Sequence, residues 1–146
     1  MPAMLARVTI VAALLLSSVA CTMWSKPAKG WSGATGGDSI EKLFWDDVVS
    51  KNFSKVDAHV ASSFAGSGPA GPMDRAAFLQ QLHSQSITAV SLSDCSTRLN
   101  GADVIIACLL QRTGASSEKV STLSVWQEYK KGWLLVAHSE APLATQ

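Results

Sequence analysis

Residues 122 to 142, TLSVWQEYKKGWLLVAHSEAP, hold two stretches rich in β-branched and aromatic residues joined by Lys-Lys-Gly. Such stretches favour strands, and Gly132 suits the left-handed turn that closes a short hairpin with a bulge. Alternation puts Trp126, Leu134 and Val136 on one face and Val125, Leu135 and Ala137 on the other. A hairpin apolar on both sides needs cover on both, so it belongs to a larger curved or sandwiched sheet.

Upstream the pattern is helical. Asp38 followed by Glu41 has the form of a capping box, and Ile40, Leu43, Phe44 and Val48 recur at helical spacing, which predicts a helix from about residue 39 to 51. Phe53, Val56, Val60 and Phe64 continue at spacings that suit a second short helix, and GSGPAGP at 66 to 72 reads as a loop. Asp74 caps a third helix with Phe78, Leu79 and Leu82 on one side, ending near His83 to Ser86. From Ile87 the period changes to alternation, and Val104 to Leu110 is continuously apolar, as in a strand buried on both faces. Helices first and strands last give an α+β fold with a curved, mostly antiparallel sheet of about four strands.

The first residues place the domain. Arg7, an apolar run from Val8 to Leu16 and small residues before Cys21 have the layout of an export signal over 1–20, too short to span a membrane. Ser18-Val19-Ala20 suits an ordinary signal peptidase, while the same residues followed by Cys21 resemble a bacterial lipobox, with Ser18 where that motif usually has Leu. The lipobox implies lipidation of Cys21, and Thr22 after it resembles the outer-membrane retention pattern. Either cleavage leaves an exported protein, anchored facing the periplasm or secreted. Residues 21–37, rich in Gly, Ser, Lys and Pro, read as a tether carrying Trp24 and Trp31, and 38–142 as one domain.

Three cysteines leave an odd thiol in an exported chain unless Cys21 is lipidated, in which case Cys95 and Cys108 remain as a pair. A Gly101-Ala102 loop sets Cys95 directly opposite Cys108, which favours a disulfide; an Asn100-Gly101 loop sets Cys95 opposite Ile106 and only diagonal to Cys108.

Several chemistries are disfavoured. Lys plus Arg is 12 against 11 for Asp plus Glu, with no basic cluster, so nothing marks a nucleic-acid surface. The histidines His59, His83 and His138 lack metal-ligand spacing, and Gly33 to Gly37 lacks the Gly-Lys-Ser/Thr ending of a phosphate loop. Adjacent Asp46 and Asp47 point about 100° apart on a helix, as a solvated edge does. Neither a metal nor a cofactor is expected.

The order of helix, short helix, DRAAFLQQL and strands ending in SVWQEYKKGWLLVAHSEAP resembles the nuclear transport factor two-like superfamily, also called the SnoaL-like or cystatin-like α+β cone, over about residues 38 to 142. That resemblance implies a conical pocket lined by Trp45, Phe64, Ser124, Trp126 and His138, and a homodimer paired through the sheet. Its steroid isomerases carry a carboxylate base where this chain has Ala65, and a Tyr donor that the single Tyr129 does not match. Its dehydratases pair a His with an Asp; the candidates here are His59, His83 and His138 with Asp47, Asp57 and Asp94. Arg98 and Arg112 lie towards strand ends, away from where kinase association domains hold acidic ligands. The reading that follows is a non-catalytic envelope lipoprotein whose pocket or sheet face binds a small apolar ligand or a protein partner. The alternative is a small isomerase or dehydratase with His138 or His59 as base.

Overall fold

The computed structural model describes residues 37–130 and 132–144. The expected export signal, Cys21 and most of the expected tether, with Trp24 and Trp31, lie outside the described residues. The elements are α1 Asp38–Val49, α2 Phe53–Ala58, β1 Val60–Gly68, β2 Gly71–Asp74, α3 Arg75–Ser84, β3 Ala89–Asn100, β4 Asp103–Thr113, β5 Ser117–Tyr129 and β6 Gly132–Pro142. They form one six-stranded sheet, ordered β2-β1-β6-β5-β4-β3, in which β1 runs parallel to β6 and all other neighbours are antiparallel. Ile40, Phe44 and Val48 of α1 and Phe78 and Leu82 of α3 pack in one core with Val104, Ile106, Leu110, Val120 and Trp126 of the sheet. The α+β class holds, with six strands rather than about four.

The two extra strands come from residues 60 to 74. Val56, Val60 and Phe64 are spaced by four, a spacing that serves one face of a helix and one face of a strand equally well. The helix stops at Ala58, and Arg75 binds the carbonyls of Asp57 and Val60 at 2.8 and 3.1 Å where the chain turns into β1. GSGPAGP, expected as a loop, is largely the β1–β2 hairpin, with Gly68 opposite Gly71.

α3 starts as the sequence predicts, with the Asp74 side chain accepting from the Ala77 amide at 2.8 Å. The capping box at α1 does not form. Gly37, at φ 57°, is the cap, so Glu41 sits one position too far along to reach back and turns inward instead.

The β3–β4 loop is Gly101-Ala102, with Asn100 opposite Asp103 and positive φ at Gly101 alone, as a II′ turn requires. A bulge between Ser93 and Ser96 carries Asp94 at φ 52°, and Cys95 is bridged to Cys108. On β4 Val104, Ile106, Cys108, Leu110 and Arg112 are buried; Ile105, Ala107 and Leu109 are half-buried on the convex face, so the strand is not covered on both sides.

The last hairpin departs from simple alternation. Tyr129 pairs with Gly132, and the positive φ falls on Lys130, not on Gly132. A register shift beyond Val125 pairs Trp126 with Leu135 while Ser124 pairs with His138. Leu135 therefore joins Trp126 on the buried face, which Leu134 and Val136 do not share.

The disulfide closes a short loop, which limits the unfolded chain by about 3 kcal/mol. Reduction is expected to lower the melting temperature of the wild type and to leave the double Cys95→Ala, Cys108→Ala variant unchanged. Two free thiols in the unfolded, unreduced domain would contradict the bridge.

Candidate functional site

α1 presents Glu41 and, one turn later, Trp45 to the concave face of the sheet, where β5 alternates Thr122, Ser124 and Trp126 inward. The Glu41 carboxylate is 1% exposed and accepts from Trp45 Nε1 at 3.2 Å, Ser124 Oγ at 2.9 Å and Trp126 Nε1 at 2.8 Å. A buried carboxylate costs far more than a buried amide unless its oxygens are bonded, and these three donors meet that demand.

The polar chain continues into β6 and β4. Ser124 Oγ lies 2.9 Å from His138 Nδ1, and His138 Nε2 lies 3.2 Å from Glu140 Oε1. Arg112 donates to both oxygens of Glu140, at 2.7 and 2.8 Å, and to Glu118 at 2.6 Å. Of these groups only Glu118 reaches solvent to any extent. Register explains the line: Ser124 is opposite His138, Thr122 opposite Glu140, and Arg112 opposite Glu118.

The Ser124 hydroxyl has one proton to give. It donates to Glu41 Oε1, which leaves the oxygen to accept from His138 Nδ1–H. The chain is thus a closed line of hydrogen bonds between buried side chains. Burial alone would push the Glu140 carboxyl up, but hydrogen bonds from His138 and Arg112 and the nearby positive charge outweigh it and hold it below the usual carboxylate range. Burial opposes the Arg112 charge as well, and its two carboxylate partners more than offset this and raise it.

The structure places the five expected pocket residues, Trp45, Phe64, Ser124, Trp126 and His138, in one buried group. Trp45 and His138 rings are 6.1 Å apart, and Phe64 stacks on Phe78 at 4.6 Å, which in turn lies 5.4 Å from His138. Their centre is filled by side chains. A cleft of about 390 Å³ opens between α1 and β3, lined by Trp45, Val90, Leu92 and Cys95, with Asp38, Lys42 and Asp46 also on its wall.

The other candidates lie apart. His59 Nδ1 is 2.9 Å from the Trp133 carbonyl. His83, in the last turn of α3, meets Asp57 at 2.8 Å, but both side chains are about two-fifths exposed, at 39% and 41%. Asp47 lies beside Asn52 and Lys55, and Asp94 is on the β3 bulge. Ala65 is exposed on β1 and Tyr129 is 54% exposed, so neither isomerase position holds a usable group. Arg98 is exposed on β3, whereas Arg112 is buried and paired. Among the described residues no cluster of His, Cys, Asp and Glu is arranged to hold a metal.

Glu41, Arg112 and Glu140 escaped the sequence reading. Signals for them exist: Glu41 leads Trp45 and Val48 at helical spacing, Glu140 follows His138 by two on a strand, and Arg112 extends the inward series of β4.

No family model matches the chain, and no curated protein is detectably similar to it. Solved structures are. An NTF2-like protein from Cytophaga hutchinsonii superposes with a TM-score of 0.66 at 17% identity, covering 72% of this chain and 93% of that one. An NTF2-like protein of unknown function in nutrient uptake, from Rhodospirillum rubrum, gives 0.62 at 15% identity over 73% and 98%. An NTF2-like family protein from Streptomyces avermitilis, provisionally described as a dehydratase, gives 0.63 at 14% identity over 74% and 94%. The chain therefore has the NTF2-like, cystatin-like α+β cone fold.

Glu140 has a lower pKa folded than unfolded, so the stability it contributes is present above the ordinary carboxylate range and is lost as pH falls through the folded value. Urea unfolding across acid pH should show that fall in the wild type. Glu140→Gln should cost about 3 kcal/mol at neutral pH, because Arg112 loses its buried partner, and should flatten the acid limb. An unchanged profile would contradict the pairing.

Proposed function

We propose that the domain is a non-catalytic binding module, carried on the bacterial envelope by a lipid at Cys21 and taking a small, mainly apolar ligand in the cleft between α1 and β3. The observation that carries this is the closed interior: Glu41, Ser124, His138, Glu140 and Arg112 are bonded to one another and shielded from solvent. A general base must come within hydrogen-bond reach of its substrate, and His138 is 2% exposed with both ring nitrogens engaged. The cleft has the volume of a small-molecule site, an apolar wall of Trp45, Val90 and Leu92, and polar groups of α1 to orient a ligand head. The export layout of the sequence and a disulfide, which persists in oxidising compartments, support the envelope reading.

The reading as an isomerase or dehydratase draws on the Ser124–His138–Glu140 line and on the description of the Streptomyces neighbour. It requires the core to open, and His59 lies apart from that line, with its Nδ1 donating to the Trp133 carbonyl.

Binding of an apolar fluorescent probe, together with native mass spectrometry for co-purified molecules, tests the cleft. Leu92 stands opposite the inward-facing Leu110 and is half-buried on the cleft wall, so Leu92→Trp should fill the cleft and weaken probe binding about tenfold or more, a loss of roughly 1.4 kcal/mol. Equal binding by the variant would overturn the assignment.

The convex face supports a homodimer. Ile105, Ala107, Leu109, Leu123, Val125 and Ala137 lie on neighbouring strands of it, with Leu123 45% exposed and no charge among them. Light scattering at micromolar concentration should give a dimer for the wild type and a monomer for Leu123→Asp; a monomeric wild type would count against it.

A further inference from the structure

One end of the sheet is exposed and apolar without serving the core. Leu99 pairs with Val104 in the row that leads inward to Trp126, yet Val104 is 2% exposed and Leu99 is 76% exposed. The row overruns the helices at the free edge of β3. Two strands away Tyr129 is 54% exposed, with Lys130 Nζ 5.2 Å above its ring. The turns that carry these residues are joined, since the Glu128 amide donates to the Ala102 carbonyl at 3.0 Å. They make one tip whose charged groups, among the described residues, are Arg98 and Lys130 against Asp103 and Glu128, with Asp103 bonded to Gln127.

The chain also enters the domain here. Gly37 is buried against Thr97, so close that a Cβ would lie 2.9 Å from Thr97 Oγ1, and Thr97 is two residues from Leu99 on β3. The route from residue 37 back to Cys21 therefore starts beside the exposed Leu99. Leu99 lies on the concave side of this end and Tyr129 on the convex side, and an aliphatic side chain, a tyrosine and a lysine around one pair of turns are a composition that settles at a bilayer interface, with the apolar part in the acyl boundary and the polar ends among headgroups.

We propose that this tip, Leu99 with Ala102, Tyr129 and Lys130, docks on the surface of the lipid bilayer to which the chain is tethered. The proposal rests on the anchored reading of Cys21. Two exposed apolar side chains would not hold a free protein on a membrane. On a tethered one the encounter is intramolecular, and the effective concentration set by a short tether lets a weak contact stay populated. Docking by the tip sets the orientation: the Leu99 end of β3 meets the bilayer, and the cleft opens further along the same strand, from Cys95 to Val90.

The test supplies the tether independently of lipidation. The chain from residue 21 onward, with Cys21→Ser and a histidine tag ahead of it, is held on vesicles of phosphatidylethanolamine and phosphatidylglycerol that contain a nickel-chelating lipid. Hydrogen exchange is compared with the same chain free in solution. Amides at residues 99–102 and 128–130 should exchange roughly tenfold more slowly on the vesicles, the factor expected for a tip docked about nine-tenths of the time. Amides of α2 should not change. Leu99→Asp, at a position too exposed to disturb the core, should abolish the protection while the chain stays on the vesicles; Tyr129→Ser should reduce it. Equal exchange on and off the vesicles, or protection that survives Leu99→Asp, would overturn the proposal. Lipidation itself is read from the mass of the natural chain extracted from membranes, so loss of the anchor reading and loss of the docking reading give different results.

Discussion

A single carboxylate holds the two layers of this fold in register. Glu41 leaves α1 for the concave face of the sheet, and two indole N–H groups and a serine hydroxyl close around it. Three donors on a carboxylate that is 1% exposed make α1 placeable in only one rotation. A slip of one residue along the helix would bury an uncompensated charge, which is costlier than any single apolar misfit in the core. The aromatic contacts follow from that placement: Phe44 lies edge-on to Trp126 at 5.6 Å and stacks on Phe78 at 6.4 Å.

The same constraint shapes what the interior can do. Continued through Ser124, His138 and Glu140, the polar line ends on Arg112, whose remaining partner Glu118 reaches the surface. Each group along it is the partner of the next, which makes the line stabilising and leaves no side chain free to touch a substrate. The proposed binding surfaces all lie at the periphery: the cleft beside β3, the convex face and the tip of the sheet. These differ in character, one a walled cavity, one a flat apolar surface, one a pair of turns, and they suit three different kinds of partner.

Much of the architecture was legible because local chemistry decides it. Asp74 caps α3 since its side chain reaches the Ala77 amide, and Gly101 selects the β3–β4 loop and with it the opposition of Cys95 and Cys108. The failures share a cause in tertiary context. Val60 and Phe64 fit both periods, and pairing with β6 chose the strand. A bulge after Val125 moved Leu135 to the buried face, and no alternation rule can place a bulge. In the site, Trp45, Phe64, Ser124, Trp126 and His138 came from the family resemblance, and alternation along β5 is consistent with Ser124 and Trp126 sharing a face. Glu41 was not, because an acid near a helix start reads as a cap, and only a shift of the helix start to Gly37 sends it inward.

The claim on which the rest depends is that Glu41 and Trp126 are energetically coupled across the layers. A double-mutant cycle of Glu41→Gln with Trp126→Phe, followed by urea unfolding, measures that coupling directly. The predicted interaction energy is about 1–3 kcal/mol, as for a buried hydrogen bond to a charged group. Additivity within about 0.3–0.5 kcal/mol would contradict it, because residues that share no interaction add to that degree.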